Sequence, residues 1–289
     1  AFAEVFARRT GGLGMSAQVS TATKPPFQFR RSMIGDIFAH AYIWIWLGLF
    51  VLPFVATAIH SLELPDGGYG LDAYSHGLGS FKVNLWISVK VTILTILINL
   101  VISVPAAYAI VRHKIPGKNF LLSILNLSLY TPAAVMGLSL LITYAFLFHI
   151  PKSTGGLVAA YVVGTYPLMM VPLIVALRDL PTVYEEAAKT LGANRMQSLL
   201  RIELPLLGPG ISAGILLTFV IVFNEFLVTL FIAPIGGETA ALRVYGLTRT
   251  GFLPSTAALA TIMQAVSFLV VLFFFKFFGS RYLKGTYLI

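Results

Sequence analysis

"EEAAKTLGANRMQSLLRIELPLLGPG", residues 185–210, is the most polar long stretch in the middle of an otherwise apolar chain. Its own pattern predicts a short surface helix. Thr182 after Pro181 is a candidate N-cap, and Glu185 three residues on has the spacing of a capping box. Glu185 and Glu186 would then sit in the first turn, where carboxylates suit the positive end of the helix dipole. Ala187, Ala188 and Leu191 fall at spacings of three and four and form a small apolar face that permits close approach of a partner. Gly192 is placed to stop the helix as a left-handed C-terminal residue. A second helical run through Met196, Leu199 and Leu200 follows, and Pro205 and Pro209 are expected to break it.

On both sides of this stretch the chain is greasy. Of 289 residues, 57% are hydrophobic and only 11% charged, against about 25% charged in soluble domains. The fold class expected is therefore an all-α integral membrane protein. About 20 apolar helical residues cross a bilayer with every backbone amide satisfied internally, and six stretches qualify: about 39–58, 85–111, 120–148, 157–177, 211–233 and 257–278. They are too long and too uniformly apolar for the alternating strands of about 10 residues in a β-barrel. Six spans place both termini on one side. Fifteen Lys and Arg residues fall on the face holding the termini and the 178–207 loop, and four (Lys82, Lys152, Arg243, Arg249) on the other, with Lys90 inside the second span. By the positive-inside rule the termini and the 178–207 loop are cytoplasmic, so the net charge of +9 is a topology signal and not a nucleic-acid footprint. The expected organisation is a basic cytoplasmic tail 1–37, a transmembrane domain 38–280 and a cytoplasmic C-terminal tail 281–289. The chain begins Ala1-Phe2-Ala3, and Met15 is a candidate start, with 1–14 expected to be processed or foreign to the native chain. No cysteine is present, which excludes disulfides, thiolate metal sites and cysteine nucleophiles.

The spacing within the opening stretch resembles a family. Glu186-Ala187-Ala188, then Gly192, then Ile202 and Leu204-Pro205 stand as in the EAA loop of permease subunits of ATP-binding-cassette importers, in a cytoplasmic loop ahead of the penultimate span. The resemblance covers roughly residues 80–280 and includes "SVPAAYAIVRHKIPGK" at the end of the second span. It implies the type I importer permease fold of six transmembrane helices in the bacterial inner membrane. The loop would be a coupling helix docked on a separate ATPase, with Glu185, Glu186, Ala187, Ala188, Leu191, Gly192, Ile202, Leu204 and Pro205 in that contact. The implied partners are two ATPase subunits, a second permease making a heterodimer, an extracytoplasmic solute-binding protein and the lipid bilayer. The chain itself would be a non-catalytic transport subunit without a cofactor. ATP and Mg are assigned to the ATPase, since the sequence lacks a G-x-x-x-x-G-K-[ST] loop; Gly117-Lys118 is followed by asparagine. Leu191 precedes Gly192 where carbohydrate permeases commonly carry aspartate. That choice, with "FVIVFNEFLVTLFIAP" and "ETAALRVYGLTRTGFLPSTAALATI", resembles the branch importing polyamines, opines, phosphonates and similar small polar solutes.

Ionisable groups at membrane depth are costly and mark pathways or buried pairs. Glu225 and Asn224 in the fifth span and Lys90 in the second are the candidates. Either they line the solute pathway, or they form a mutual structural salt bridge or a hydrogen-bonded interhelical contact. Tyr130 of Tyr130-Thr131-Pro132 is placed beside the pathway by the kink that Pro132 would make in the third span. The five histidines are dispersed without metal-ligand spacing. A gradient-driven secondary transporter would show internal repeats and paired midplane charges; no repeat is present, and Lys90 and Glu225 are the only such charges.

Overall fold

Prolines and local side-chain bonds to the backbone decide where the apolar blocks stay helical and where they break. The computed structural model describes residues 33–64, 66–251 and 253–279; residues 1–32 of the expected tail 1–37 and residues 280–289 lie outside this range, and residues 33–37 are already helical. The chain divides at Phe50, inside the first helix, into two units. In the first unit the described residues form the opening half of α1, Met33–His60. This half is rich in aromatics, and Tyr42 and Trp46 meet edge to face with ring centres 6.0 Å apart.

The second unit, from Val51, holds the end of α1 and all later elements. α2 runs from Asp72 to Arg112, 41 residues, so it begins well before the expected residue 85. The external loop shrinks to residues 61–71, closed by a single antiparallel bridge between Glu63 and Tyr69. Asp72 opens the helix, where its charge complements the dipole. α3 (Lys118–Tyr130) and α4 (Ala133–Ile142, continued as a π turn Thr143–Leu147) follow. They correct the expected single span 120–148, because the two halves meet at 108°. Pro132 has no amide hydrogen and forces Thr131 into an extended conformation, φ −85° and ψ 125°, which ends α3 outright.

α5, Thr154–Asp179, is capped by Ser153, whose hydroxyl accepts from the Gly156 amide at 3.1 Å. It is the central helix, buried along about half its span. The polar loop contributes α6 (Val183–Thr190) and α7 (Arg195–Leu206), the latter containing a π turn at Leu199–Glu203. α8 (Gly208–Asn224) lies at 69° to α7. Pro205 sits inside α7 and Pro209 in the first turn of α8, where a missing amide costs little, so the expected break falls between them at Leu207. The expected span 211–233 is also interrupted. α8 stops at Asn224, Glu225 is extended, and a short α9 (Leu227–Ile232) follows. α10 (Ala240–Thr248) and α11 (Pro254–Phe274) complete the unit. Among the described residues four helices are long and apolar enough to cross a membrane alone, and the number is six where each of the bent pairs α3–α4 and α7–α8 counts as one span.

α2 and α5 meet along a polar seam rather than a purely apolar one. Ser88, Thr92, Thr95, Asn99 and Ser103 are all buried on one face of α2. Asn99 donates to the Thr165 hydroxyl of α5 at 2.9 Å, and Ser88 accepts from the Ala240 amide at 2.8 Å. Small polar residues of this kind hold helices together where lipid offers no hydrophobic drive. α8 approaches α5 more closely still. A Cβ at Gly210 would stand 2.8 Å from the Pro172 carbonyl oxygen, and one at Gly214 would stand 3.1 Å from Met169 backbone atoms.

Candidate functional site

The loop between α5 and α8 is built around the end of α6. Gly192 has φ +84°, a conformation that glycine adopts without penalty. Its amide donates to Lys189 O at 2.9 Å and the next amide, of Ala193, to Ala188 O at 3.0 Å. This reciprocal pair is a Schellman closure, so the expected stop at Gly192 is borne out in detail. Ala188 is buried beneath the helix, whereas Val183, Tyr184, Glu186, Ala187 and Leu191 face outward, Leu191 at 88% exposure. Among the described residues nothing covers this apolar and acidic face.

The expected N-cap at Thr182 is not made: Thr182 is itself helical and its side chain accepts nothing. Glu185 is turned to other partners instead. The Lys189 ammonium lies 2.8 Å from its carboxylate, and the Tyr108 hydroxyl of α2 donates to it at 3.3 Å. The Lys189 hydrogen bond holds the Glu185 carboxyl below its usual range, with help from the charges of Lys189 and Arg112 and from Tyr108, against the opposing effect of burial. The capping box is found twelve residues on from Thr182, at α7. Asn194 accepts from the Gln197 amide at 2.8 Å, and Gln197 accepts from the Asn194 amide at 2.9 Å.

Beyond the cap, Ile202 and Leu204 are half-buried, Pro205 is exposed, and Glu203 between them is buried. Glu203 accepts from Ser198 at 3.3 Å. Arg112, the last residue of α2, donates to Leu180 O at 3.0 Å. The sequence reading missed Tyr108, Arg112, Ser198 and Glu203. A carboxylate between Ile202 and Leu204 is the one local signal that could have singled out Glu203.

The four pathway candidates separate. Glu225 uses both carboxylate oxygens to cap α9, accepting from the Leu227 amide at 2.7 Å and the Val228 amide at 2.9 Å. Tyr161 of α5 donates to the same carboxylate at 3.2 Å and hydrogen-bonds with Thr229. Lys90 makes no ion pair with Glu225; ion pairs among the described residues include His60–Glu63, Glu185–Lys189 and Glu238–Arg243. The mutual structural pair is therefore not formed. Asn224 donates to Val220 O at 2.9 Å and to Ser267 of α11 at 3.2 Å. Tyr130, 80% exposed, ends α3. Of the four, Lys90 borders an open cavity of about 490 Å³ walled by α2 and the start of α5. The adjoining cavity, about 710 Å³, shares Val162 and Val163 with it and carries the hydroxyls of Ser128, Thr131, Ser139, Thr143 and Tyr166 around the α3–α4 break.

The sequence pattern described as "Binding-protein-dependent transport system inner membrane component" matches residues 99–284, a stretch holding α3 to α11 and the whole loop. The chain belongs to this family of importer permeases. Among its relatives is the spermidine/putrescine transport system permease protein PotC of Haemophilus influenzae, 33% identical over 165 residues. That match takes in 57% of this permease and 64% of the relative's length, just under two thirds. The molybdenum transport system permease protein ModB of Escherichia coli strain K12 is 35% identical over 175 residues, 54% of this permease and 74% of that protein. A chain of a bacterial ABC transporter involved in the import of the acidic polysaccharide alginate has the same fold, with a TM-score of 0.67 over 88% of this permease and 99% of that chain at 18% identity. The permease architecture that the resemblance implies is thus confirmed; the third span breaks where a kink at Pro132 was expected, and the break of the fifth at Glu225 is an addition to that expectation.

Proposed function

We propose that this permease forms half of the translocation pathway of an ATP-binding-cassette importer for a small polar solute and couples uptake to ATP hydrolysis on a partner. The observation that carries the reading is the α6 end. A helix of eight residues is closed by a Schellman turn, tied to α2 through Glu185 and Tyr108, and presents an uncovered face bearing Glu186, Ala187 and Leu191. Eight residues do not sustain a helix alone in water; these ties hold it ready for a groove on an ATPase. The assembly proposed has two such ATPases carrying ATP and Mg, a second permease and an extracytoplasmic solute-binding protein. The termini and the loop lie in the cytoplasm, as the distribution of Lys and Arg supports.

In this reading, approach of the two ATPases moves α6, and through it α2, α5 and α8, so that the cavities bordered by Lys90 and by the α3–α4 hydroxyls open alternately to the two sides. Glu225 and Asn224 hold the α8–α9 break in shape beside that route and do not contact the solute. The solute class is that of polyamines, opines, phosphonates and similar compounds, a reading supported by a relative named for spermidine and putrescine. The test is uptake in proteoliposomes containing the full complex, with spermidine, putrescine, molybdate and sulfate as competing probes. ATP-driven, vanadate-sensitive uptake is expected. Transport driven by an ion gradient without ATP would overturn the reading.

A further inference from the structure

Beneath the coupling loop two groups of opposite charge, half-buried Arg112 and buried Glu203, each leave one buried atom without a hydrogen-bond partner among the described residues. Nε of Arg112 and Oε2 of Glu203 are both fully buried and unpaired. Arg112 is held by one bond, Nη2 to Leu180 O at 3.0 Å, and Glu203 by one, from Ser198 at 3.3 Å. They are not an ion pair with each other in this structure, although Arg112 stands close enough for its charge to act on both Glu203 and Glu185. A buried donor or acceptor with no partner carries its full desolvation penalty, and here one contact would relieve both.

The route to that contact is visible in the backbone. Glu203 is the last residue of the π turn Leu199–Glu203, and the α7–α8 bend follows at Leu207. A π turn holds one residue more than the α turn it interrupts, and such turns mark functional sites. Shifting it by one residue swings a side chain about 100° around the helix axis. The opposing face is fixed, since Arg112 ends a 41-residue helix whose last turns lie in a cluster with Met169, Met170, Leu173 and Leu177 of α5.

We propose that Arg112 and Glu203 close into an ion pair in the ATPase-engaged state, through a shift at the Leu199–Glu203 turn, and so lock the coupling loop to the end of α2. Arg112 and Glu203 are thus positioning residues for transport. The inference rests on the coupling role proposed above for the loop.

The chain has no cysteine of its own, so Arg112→Cys with Glu203→Cys introduces a single addressable pair. In the assembled complex in proteoliposomes, cross-linking by a short bifunctional thiol reagent, read by mass spectrometry of the joined peptides, is expected to rise severalfold from the nucleotide-free state to the state trapped with ATP, Mg and vanadate. A yield that does not change between the two states overturns the proposal. A charge cycle read as the ATP hydrolysis rate of the complex gives an independent arm, also usable where the cysteine pair lowers the amount of protein. Arg112→Gln and Glu203→Gln are each expected to slow hydrolysis about tenfold, the double glutamine variant no further, and the exchange Arg112→Glu with Glu203→Arg to recover most of the rate. Losses that multiply, unchanged rates in the single variants, or an exchange no better than they are would overturn the ion pair. If the wild-type chain retains no ATPase at all, the coupling role itself fails; if it does retain ATPase and these outcomes are absent, the ion pair alone fails.

Discussion

Gly192 gives the sharpest test of why α6, the proposed coupling helix, ends where it does. A Cβ built there meets no atom within 4 Å, so no substitution is penalised for lack of room within the chain. What remains is the backbone, held at φ +84°. An L-residue in that region costs about 1–2 kcal/mol, enough to change the population of the closed turn by about 5- to 30-fold. Asparagine tolerates the conformation better than alanine, and β-branched valine worst. The order of function expected is therefore Gly, Asn, Ala, Val, with Gly192→Ala lowered about 5- to 30-fold and Gly192→Asn less. Membrane insertion should be unaffected, because the residue lies outside the apolar spans. The assay is the fraction of ATPase subunits copurifying with the permease from detergent-solubilised membranes across an ATPase titration, with coupled uptake measured in parallel. If Gly192→Val docks as well as glycine, or Gly192→Asn fails as badly as Gly192→Val, the backbone argument is refuted.

Other perturbations probe separate parts of the molecule. Glu225→Gln is expected to leave solute preference unchanged, because the carboxylate caps α9, whereas Glu225→Ala removes the acceptors for two amides and should cost about 1–2 kcal/mol, visible as a lower thermal midpoint in detergent. Gly210→Ala drives a methyl against the Pro172 backbone and should cost about 1–3 kcal/mol, read the same way; an unchanged midpoint would refute the close approach of α8 to α5. The pH response of α6 follows from Glu185. Its carboxyl is held below the usual value of 4.5, so the stabilisation is fully present above that value and is lost as the pH falls through the lower folded-state value. Retention of ATPase should therefore weaken on acidification below about pH 4.5, and Lys189→Met should blunt the effect; an identical acid profile in the variant would contradict it.

Much of this architecture was legible because it rests on short-range rules. Gly192 announces a left-handed residue by being the one glycine between two helical runs, and the apolar blocks announce the helices. The two broken spans were harder for physical reasons. Pro132 marks a kink in "NLSLYTPAAVMG", but apolar composition is the same for a kinked span and a fully broken one, so the extended Thr131 and the 108° turn were not legible. Glu225 looked like a pathway group because its depth was visible and its partners were not: the amides of Leu227 and Val228 become acceptor-seeking only once α8 has ended. Thr182 and Glu185 have the spacing of a capping box, yet Glu185 has better partners in Lys189 and in Tyr108, the latter 77 residues away in sequence. No local pattern can report that competition.

The contact of Gly210 and Gly214 with the backbone of α5 bears on how force travels. α5 runs into the proposed coupling loop and α8 leaves it, so both ends of the loop are packed closely on each other, with only the Ala176 and Met169 side chains and the α5 backbone against the two glycines. A push on α6 cannot be absorbed by spreading those ends apart. It must turn the α5–α8 pair as a single lever, and the stroke delivered at the far ends of these helices is then set by their length and not by the softness of the joint.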